Sequence, residues 1–291
     1  MSKQIKQLLT QVSPEDSRDY TPAVVGEVTP KELPDKYIPE VKQQILFQAF
    51  SSQCVAHAIV TMLQYCEQKL GWTPNNYSRG FIYANRNGED MNVNGMYPRK
   101  ALKILLKEGT CSYYSFRWGQ SQLDRVIEKF EPQQEELEKE ALQYRTILNY
   151  YRLNTIEDIK TAVYNNGAAI ISIRTFGSFL FDNKLNPRKD YTGNYSNHCV
   201  AVIGWDGDYL ICQDSYSKFA HLGRGGLFYL HKDYMINEAW SVSMNDYEPE
   251  KRPDIVVDEN VKTWGYAGYF CEWLFGGIVR FFKKTFSKKE K

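Results

Sequence analysis

The order of its periodicities constrains this chain most: helical spacing dominates up to about residue 167, and β-branched runs take over after it. Val55, Ala58, Ile59, Met62, Leu63 and Cys66 recur at spacings of three and four, which puts them on one stripe of a helix that Ser51-Ser52 can cap. Arg99 to Lys107 repeats that spacing and stops at Gly109, a residue suited to a C-cap. Gln133 to Tyr151, highly charged at its start, predicts a third helix. Thr155 to Asn166 predicts a fourth, opened by Thr155 with Asp158 three positions on and closed by Gly167. From Ala168 the pattern changes to AIISI at 169–173, CVAVIGW at 199–205, YLICQD at 209–214 and GLFYL at 226–230. Gly204, Asp206-Gly207 and Gly223-Arg224-Gly225-Gly226 supply the turns between these runs. Helices first and strands afterwards predict an α+β protein with an antiparallel sheet and a cleft between its two halves.

Outside that body the character of the chain shifts. Residues 1–33 are polar, contain Pro14, Pro22 and Pro30, and read as an extended arm ahead of a domain at 34–247. Residues 248–263 form a charged linker, and 264–291 an aromatic and basic tail. The tail contains Glu272, Arg280 and four glycines, so it makes a poor spanning helix, which needs ~20 apolar residues. Aromatic residues followed by lysines suit an anchor at a membrane surface, while docking on the domain body or on an assembly partner would cover the same apolar surface.

Charge and cysteine usage exclude several classes. With 36 basic and 35 acidic residues the net charge is +1, so no overall field favours a nucleic-acid partner. The six cysteines are scattered without a CxxC pair and read as thiols, mostly buried. The four histidines form no HxxxH pattern and no cysteine stands at finger spacing from them, so no metal site is expected. The polar stretch Met1 to Leu9 lacks the apolar run of a secretory signal, which makes the cytoplasm the expected location.

Three residues then combine into a chemistry. Cys54 stands at the predicted start of the long helix, where unpaired N–H groups and the helix dipole favour an anion. Alone, that position also fits a small buried residue. His198 opens a strand 144 positions later, and Asp214 ends the following strand, so a β-hairpin brings His198 and Asp214 side by side. His57, three residues after Cys54, reads as a core or interface residue. His221 and His231 lie in or beside turns and carry no expected role.

Four ordered blocks resemble the papain-like cysteine peptidases of the C1 group. The Q-x5-C block stands as Gln48 to Cys54, the N/D-H-A/C-V block as Asn197-His198-Cys199-Val200, the altered N-S-W-G block as Asp214-Ser215-Tyr216-Ser217, and the G-x-x-G-Y segment as Gly223 to Phe228. A weaker match to the substrate-pairing N-G-G stretch is Asn94-Gly95-Met96. The resemblance spans roughly residues 34 to 245. It implies Cys54 as nucleophile, His198 as base, Asp214 as the orienting residue and Gln48 as oxyanion donor. It also implies Asn94, Gly95, Met96 and Asn197 as substrate-binding residues, a peptide or protein substrate, and no metal or organic cofactor.

The chain departs from the pattern at several places: aspartate replaces the usual asparagine at 214, Tyr216 a tryptophan, Met96 the second glycine, and Val55 the tryptophan after the nucleophile. No long inhibitory propeptide is expected ahead of residue 34, and the N-terminal arm could lie in the cleft. These features leave two readings beside the peptidase: a papain-like structural or binding module in a larger assembly such as a viral particle, and an acyl transferase that uses the same thioester.

Overall fold

Where apolar spacing and caps coincide, the helices form as the sequence predicts. The computed structural model describes residues 10–28, 30–40, 42–49, 51–87, 91, 94–216, 220–223 and 225–245. The linker at 248–263 and the tail at 264–291 lie outside the described residues. Helix α1 (Cys54–Lys69) is buried from Cys54 through Glu67, all round and not along one stripe alone, as befits the central helix of a core. Its N-cap is Gln53 and not a serine. The Ser51 hydroxyl is already spent on the Gln48 carbonyl at 2.7 Å. Gln53 makes no capping bond either, because its side-chain amide donates to the carbonyls of Trp118 and Ser121.

The remaining helices are α2 (Arg79–Ala84), α3 (Pro98–Glu108), α4 (Leu123–Phe130), α5 (Gln134–Ala141), α6 (Ile156–Asn166) and the short α7 (Ala220–Gly223). Proline at the first turn opens α3, and Gly109 closes it at φ +73. Thr155 and Asp158 form a reciprocal capping box on α6, as their spacing predicts.

Among the described residues the eight strands are β1 (Lys36–Tyr37), β2 (Ile147–Leu153), β3 (Ala169–Thr175), β4 (Lys184–Leu185), β5 (Ser196–Asp206), β6 (Tyr209–Gln213), β7 (Leu227–His231) and β8 (Ile236–Met244). Their order in one sheet is β2-β8-β3-β5-β6-β7-β4, with β1 added on β5. Every pairing is antiparallel except β4 with β7.

One further expectation fails here, and one strand was not foreseen. The helix expected over 133–151 is helical only to Ala141 and then, after a 3-10 turn, gives way to β2. The run Ile147 to Leu153 carries aromatic and branched residues that suit a pleated surface, and its buried Ile147, Tyr151 and Leu153 are satisfied by pairing with β8. Strand β8 itself escapes a reading by apolar runs because Asn237 and Glu238 interrupt its start.

Strand β5 positions the chemistry because it is buried on both faces. Cys199, Ala201 and Ile203 join α1 in one hydrophobic core, while Val200 and Val202 join α6 residues Ile159, Ala162 and Val163 in a second. That alternation is the period of two expected of a strand. Each fully buried aliphatic side chain in these cores contributes roughly 1.5–3 kcal/mol. Opposite Gly204 the backbone of β1 comes so close that a Cβ there would lie 2.3 Å from the Tyr37 carbonyl oxygen.

Candidate active site

Cys54 occupies the first position of α1, fully buried, with its main-chain N–H at the positive end of the helix. His198 lies on β5, and the β5–β6 hairpin turns the chain at Asp206 to Tyr209, so that Asp214 follows the end of β6 beside it. His198 Nε2 donates to Asp214 Oδ1 at 2.7 Å, both groups being almost completely buried. Its other nitrogen, Nδ1, is buried and is the one left for the Cys54 sulfur, which acts on the ring both by charge and by hydrogen bonding. Tyr216 stacks on the imidazole with ring centroids 4.9 Å apart, the shielding place where the resemblance has tryptophan.

The electrostatics follow from burial and from one carboxylate. Burial alone pushes the His198 imidazole down, but the Asp214 charge and hydrogen bond, helped by Cys54, outweigh it and hold the ring up at about 10. The same partners act on Asp214 in the opposite sense. Burial pushes the carboxyl up, yet His198 and then His221 hold it far below the usual carboxylate range. Near neutral pH the pair is therefore an imidazolium and a carboxylate.

Gln48 is tied into this arrangement through Ser215. The Ser215 hydroxyl donates to Gln48 Oε1 at 2.6 Å, Gln48 N–H donates to the Ser215 carbonyl at 2.7 Å, and Ser215 N–H donates to Asp214 Oδ1 at 2.7 Å. The Gln48 amino group donates one hydrogen to the Ser51 carbonyl at 2.8 Å, which sets the amide orientation because a carbonyl only accepts. Its second hydrogen is the one that can meet an oxyanion. Next to it, Ala49 holds φ +53, a left-handed conformation uncommon outside glycine. Gln213 fastens the preceding segment from below, accepting from the Tyr65 hydroxyl and donating to the Gln43 and Gln44 carbonyls.

The stretch at 94–96, expected from the resemblance to pair with substrate, is bridged by the chain's own arm. Thr10 bridges Met96 in parallel sense, Gln11 N–H donates to the Met96 carbonyl at 3.0 Å, and the Gln11 side chain donates to the Asn94 carbonyl at 3.1 Å. Thr10 Oγ1 lies 2.9 Å from Cys54 Sγ. Gly95, at φ +89, turns its carbonyl to the Arg86 guanidinium, and Met96 is fully buried. Farther along, Ser13 N–H donates to Glu238 at 2.9 Å, and Asp19 pairs with Arg99 and Arg152. From Thr10 to Asp19 the expected arm is thus fastened to the body of the domain, and it turns at residues 22–26 where an extended course was expected. Asn197, by contrast, accepts from Asn237 on β8 at 3.4 Å and takes no part in the contacts between the arm and residues 94–96.

His57 donates through Nδ1 to the Gln53 carbonyl, and burial, reinforced by Arg79, pushes it down to about 3. It is a neutral core residue. His221 is the member that sequence reasoning missed: it is fully buried, with Nε2 2.9 Å from Asp214 Oδ2. A histidine seven positions after Asp214, before a glycine-rich turn, was the only signal for it.

No protein-family model matches the sequence, and no curated protein matches it. Solved structures do resemble the coordinates. Xylellain, a cysteine protease from Xylella fastidiosa, superposes with a TM-score of 0.67 at 20% identity, covering 81% of this chain and 95% of that one. Procathepsin B from Trypanosoma congolense gives 0.63 at 12% identity, covering 83% and 88%. Bromelain from Ananas comosus, in complex with the inhibitor E64, gives 0.55 at 14%, covering 73% and 100%. The helices and the mostly antiparallel sheet agree with these neighbours, and the chain has the papain-like cysteine protease fold.

Proposed function

We propose that the chain is a thiol peptidase that hydrolyses peptide bonds through a thioester on Cys54. The observation that carries this reading is the buried bond of 2.7 Å by which Asp214 holds His198, leaving Nδ1 for the sulfur at the start of α1. The Cys54 sulfur attacks the carbonyl carbon, and the oxyanion that develops is met by the Gln48 amino group and the Cys54 main-chain N–H. As the tetrahedral species collapses, the C–N bond breaks and His198 gives its Nδ1 proton to the leaving amine. Water then attacks the thioester, passing a proton to Nδ1. The C–S bond breaks, and a carboxylic acid leaves with the cysteine regenerated.

A second reading, a module that keeps the fold without turnover, is favoured by Thr10 on the sulfur and by Met96 beneath the arm. The discriminating experiment treats the full chain with E64, the inhibitor bound to bromelain, and locates the adduct by peptide mass spectrometry. Selective labelling of Cys54, lost in His198→Ala, supports the peptidase. Labelling of Cys54 no faster than that of the other cysteines in the unmodified chain supports the module.

A further inference from the structure

We propose that His221 is a positioning residue of the catalytic apparatus: its ring, protonated on both nitrogens, binds Asp214 Oδ2 and converts the carboxylate that orients His198 into a net-neutral pair. The proposal rests on the thiol peptidase reading for its role, but its geometry stands independently. His221 Nδ1 is 2.7 Å from the Asp182 carbonyl, which only accepts, so Nδ1 carries a hydrogen. Nε2 is 2.9 Å from Asp214 Oδ2, and one hydrogen must lie between them. Asp214 also accepts from His198 Nε2 and from Ser215 N–H on Oδ1, two donors apart from His221 that converge on one buried carboxyl group. A carboxyl group so served is ionised, and the hydrogen therefore belongs to His221 Nε2.

The backbone supports a specific placement. His221 adopts φ +58, an uncommon conformation for a residue with a side chain, and the flanking structure must hold it there. Phe179 packs edge-on against both imidazoles, with centroids 5.4 Å from His198 and 5.0 Å from His221, and Phe228 lies 4.7 Å from the His221 ring. These rings keep water from the bonds to Asp214 and strengthen them.

A bare buried carboxylate would hold the His198 imidazolium too firmly to release its proton to a leaving amine. Sharing that carboxylate with a second cation weakens the hold without losing the orientation. Burial pushes His57 down to about 3 and pushes Cys199, Cys212 and the Tyr216 phenol far up, while the Asp182 carboxylate accepts from Ser178 instead.

The test has one arm without turnover and one with it. In the full wild-type chain, the nitrogen NMR shifts of the His221 ring at pH 7 are expected to report N–H at both positions, and Asp214→Asn is expected to remove one. A single protonated nitrogen in the wild type would overturn the proposal whether or not the protein cleaves peptides. The second arm follows iodoacetamide alkylation of Cys54, and peptide turnover if present, against pH. His221→Gln keeps a neutral donor, and its alkaline limit is expected to rise by about one unit, with turnover falling about tenfold. In the Asp214→Asn background the same substitution should leave the limit where it is. An equal shift in both backgrounds, or no shift in either, would reduce His221 to packing and sink the idea, while the expected NMR and alkylation results without any cleavage would count against the peptidase reading alone.

Discussion

Thr10 Oγ1 sits 2.9 Å from Cys54 Sγ although 44 positions separate the two residues along the chain. The hydroxyl and the sulfur can exchange donor and acceptor roles, so this contact suits a thiol and a thiolate alike. It covers the sulfur with a side chain of the protein's own arm, next to the stretch at 94–96 that the arm bridges.

Deleting residues 2–13 is therefore expected to raise the rate of Cys54 alkylation by iodoacetamide at least tenfold. The pairing of Asp19 with Arg99 and Arg152 remains to hold the rest of the arm. Rates measured by mass spectrometry under pseudo-first-order conditions check this, and an unchanged rate would mean that the arm does not guard the thiol.

The bond between His198 and Asp214 sets a pH window. The His198 side stabilises the fold fully below its ordinary value of 6.5 and loses that contribution as pH rises through about 10. The Asp214 side is present above 3.8 and is lost as pH falls below it, and the two describe one interaction. Asp214→Asn removes the charge that raises His198. Its alkaline limit for Cys54 reactivity is expected to fall by a unit or more, and urea midpoints should decline less between pH 8 and 10.5 than in the wild type.

Gln48→Ala is expected to lower kcat by about 10²–10³ with little change in KM, because in the proposed mechanism the amide meets charge that develops only after attack. Its alkaline limit should stay in place, since Gln48 reaches Asp214 only through Ser215. Steady-state kinetics across pH separate this outcome from a displaced Asp214, which would move the limit as well.

Gly204→Ala tests the fold apart from the chemistry. The added Cβ would meet the Tyr37 carbonyl at 2.3 Å, between two backbones that neither rotate nor yield cheaply. A loss of about 2–4 kcal/mol in urea unfolding is expected, with β1 peeling from β5 as the route of relief.

Short-range physics is written locally along the chain. The spacing along α1, the Thr155–Asp158 capping box and the hairpin at Asp206-Gly207 each depend on neighbours within a few positions. The blocks around Gln48, Cys54, His198 and Asp214 were legible by resemblance because their order and spacing survive in a linear text. That Ile147 to Leu153 forms a strand depends on long-range pairing, since its partner β8 lies some ninety positions away. Folding alone brings Thr10 to Cys54 and lets His221 share Asp214 with His198. Those contacts join side chains from a polar arm and from a turn with no periodicity of its own, and a buried carboxylate gathers its donors by proximity in space, whatever their distance along the chain.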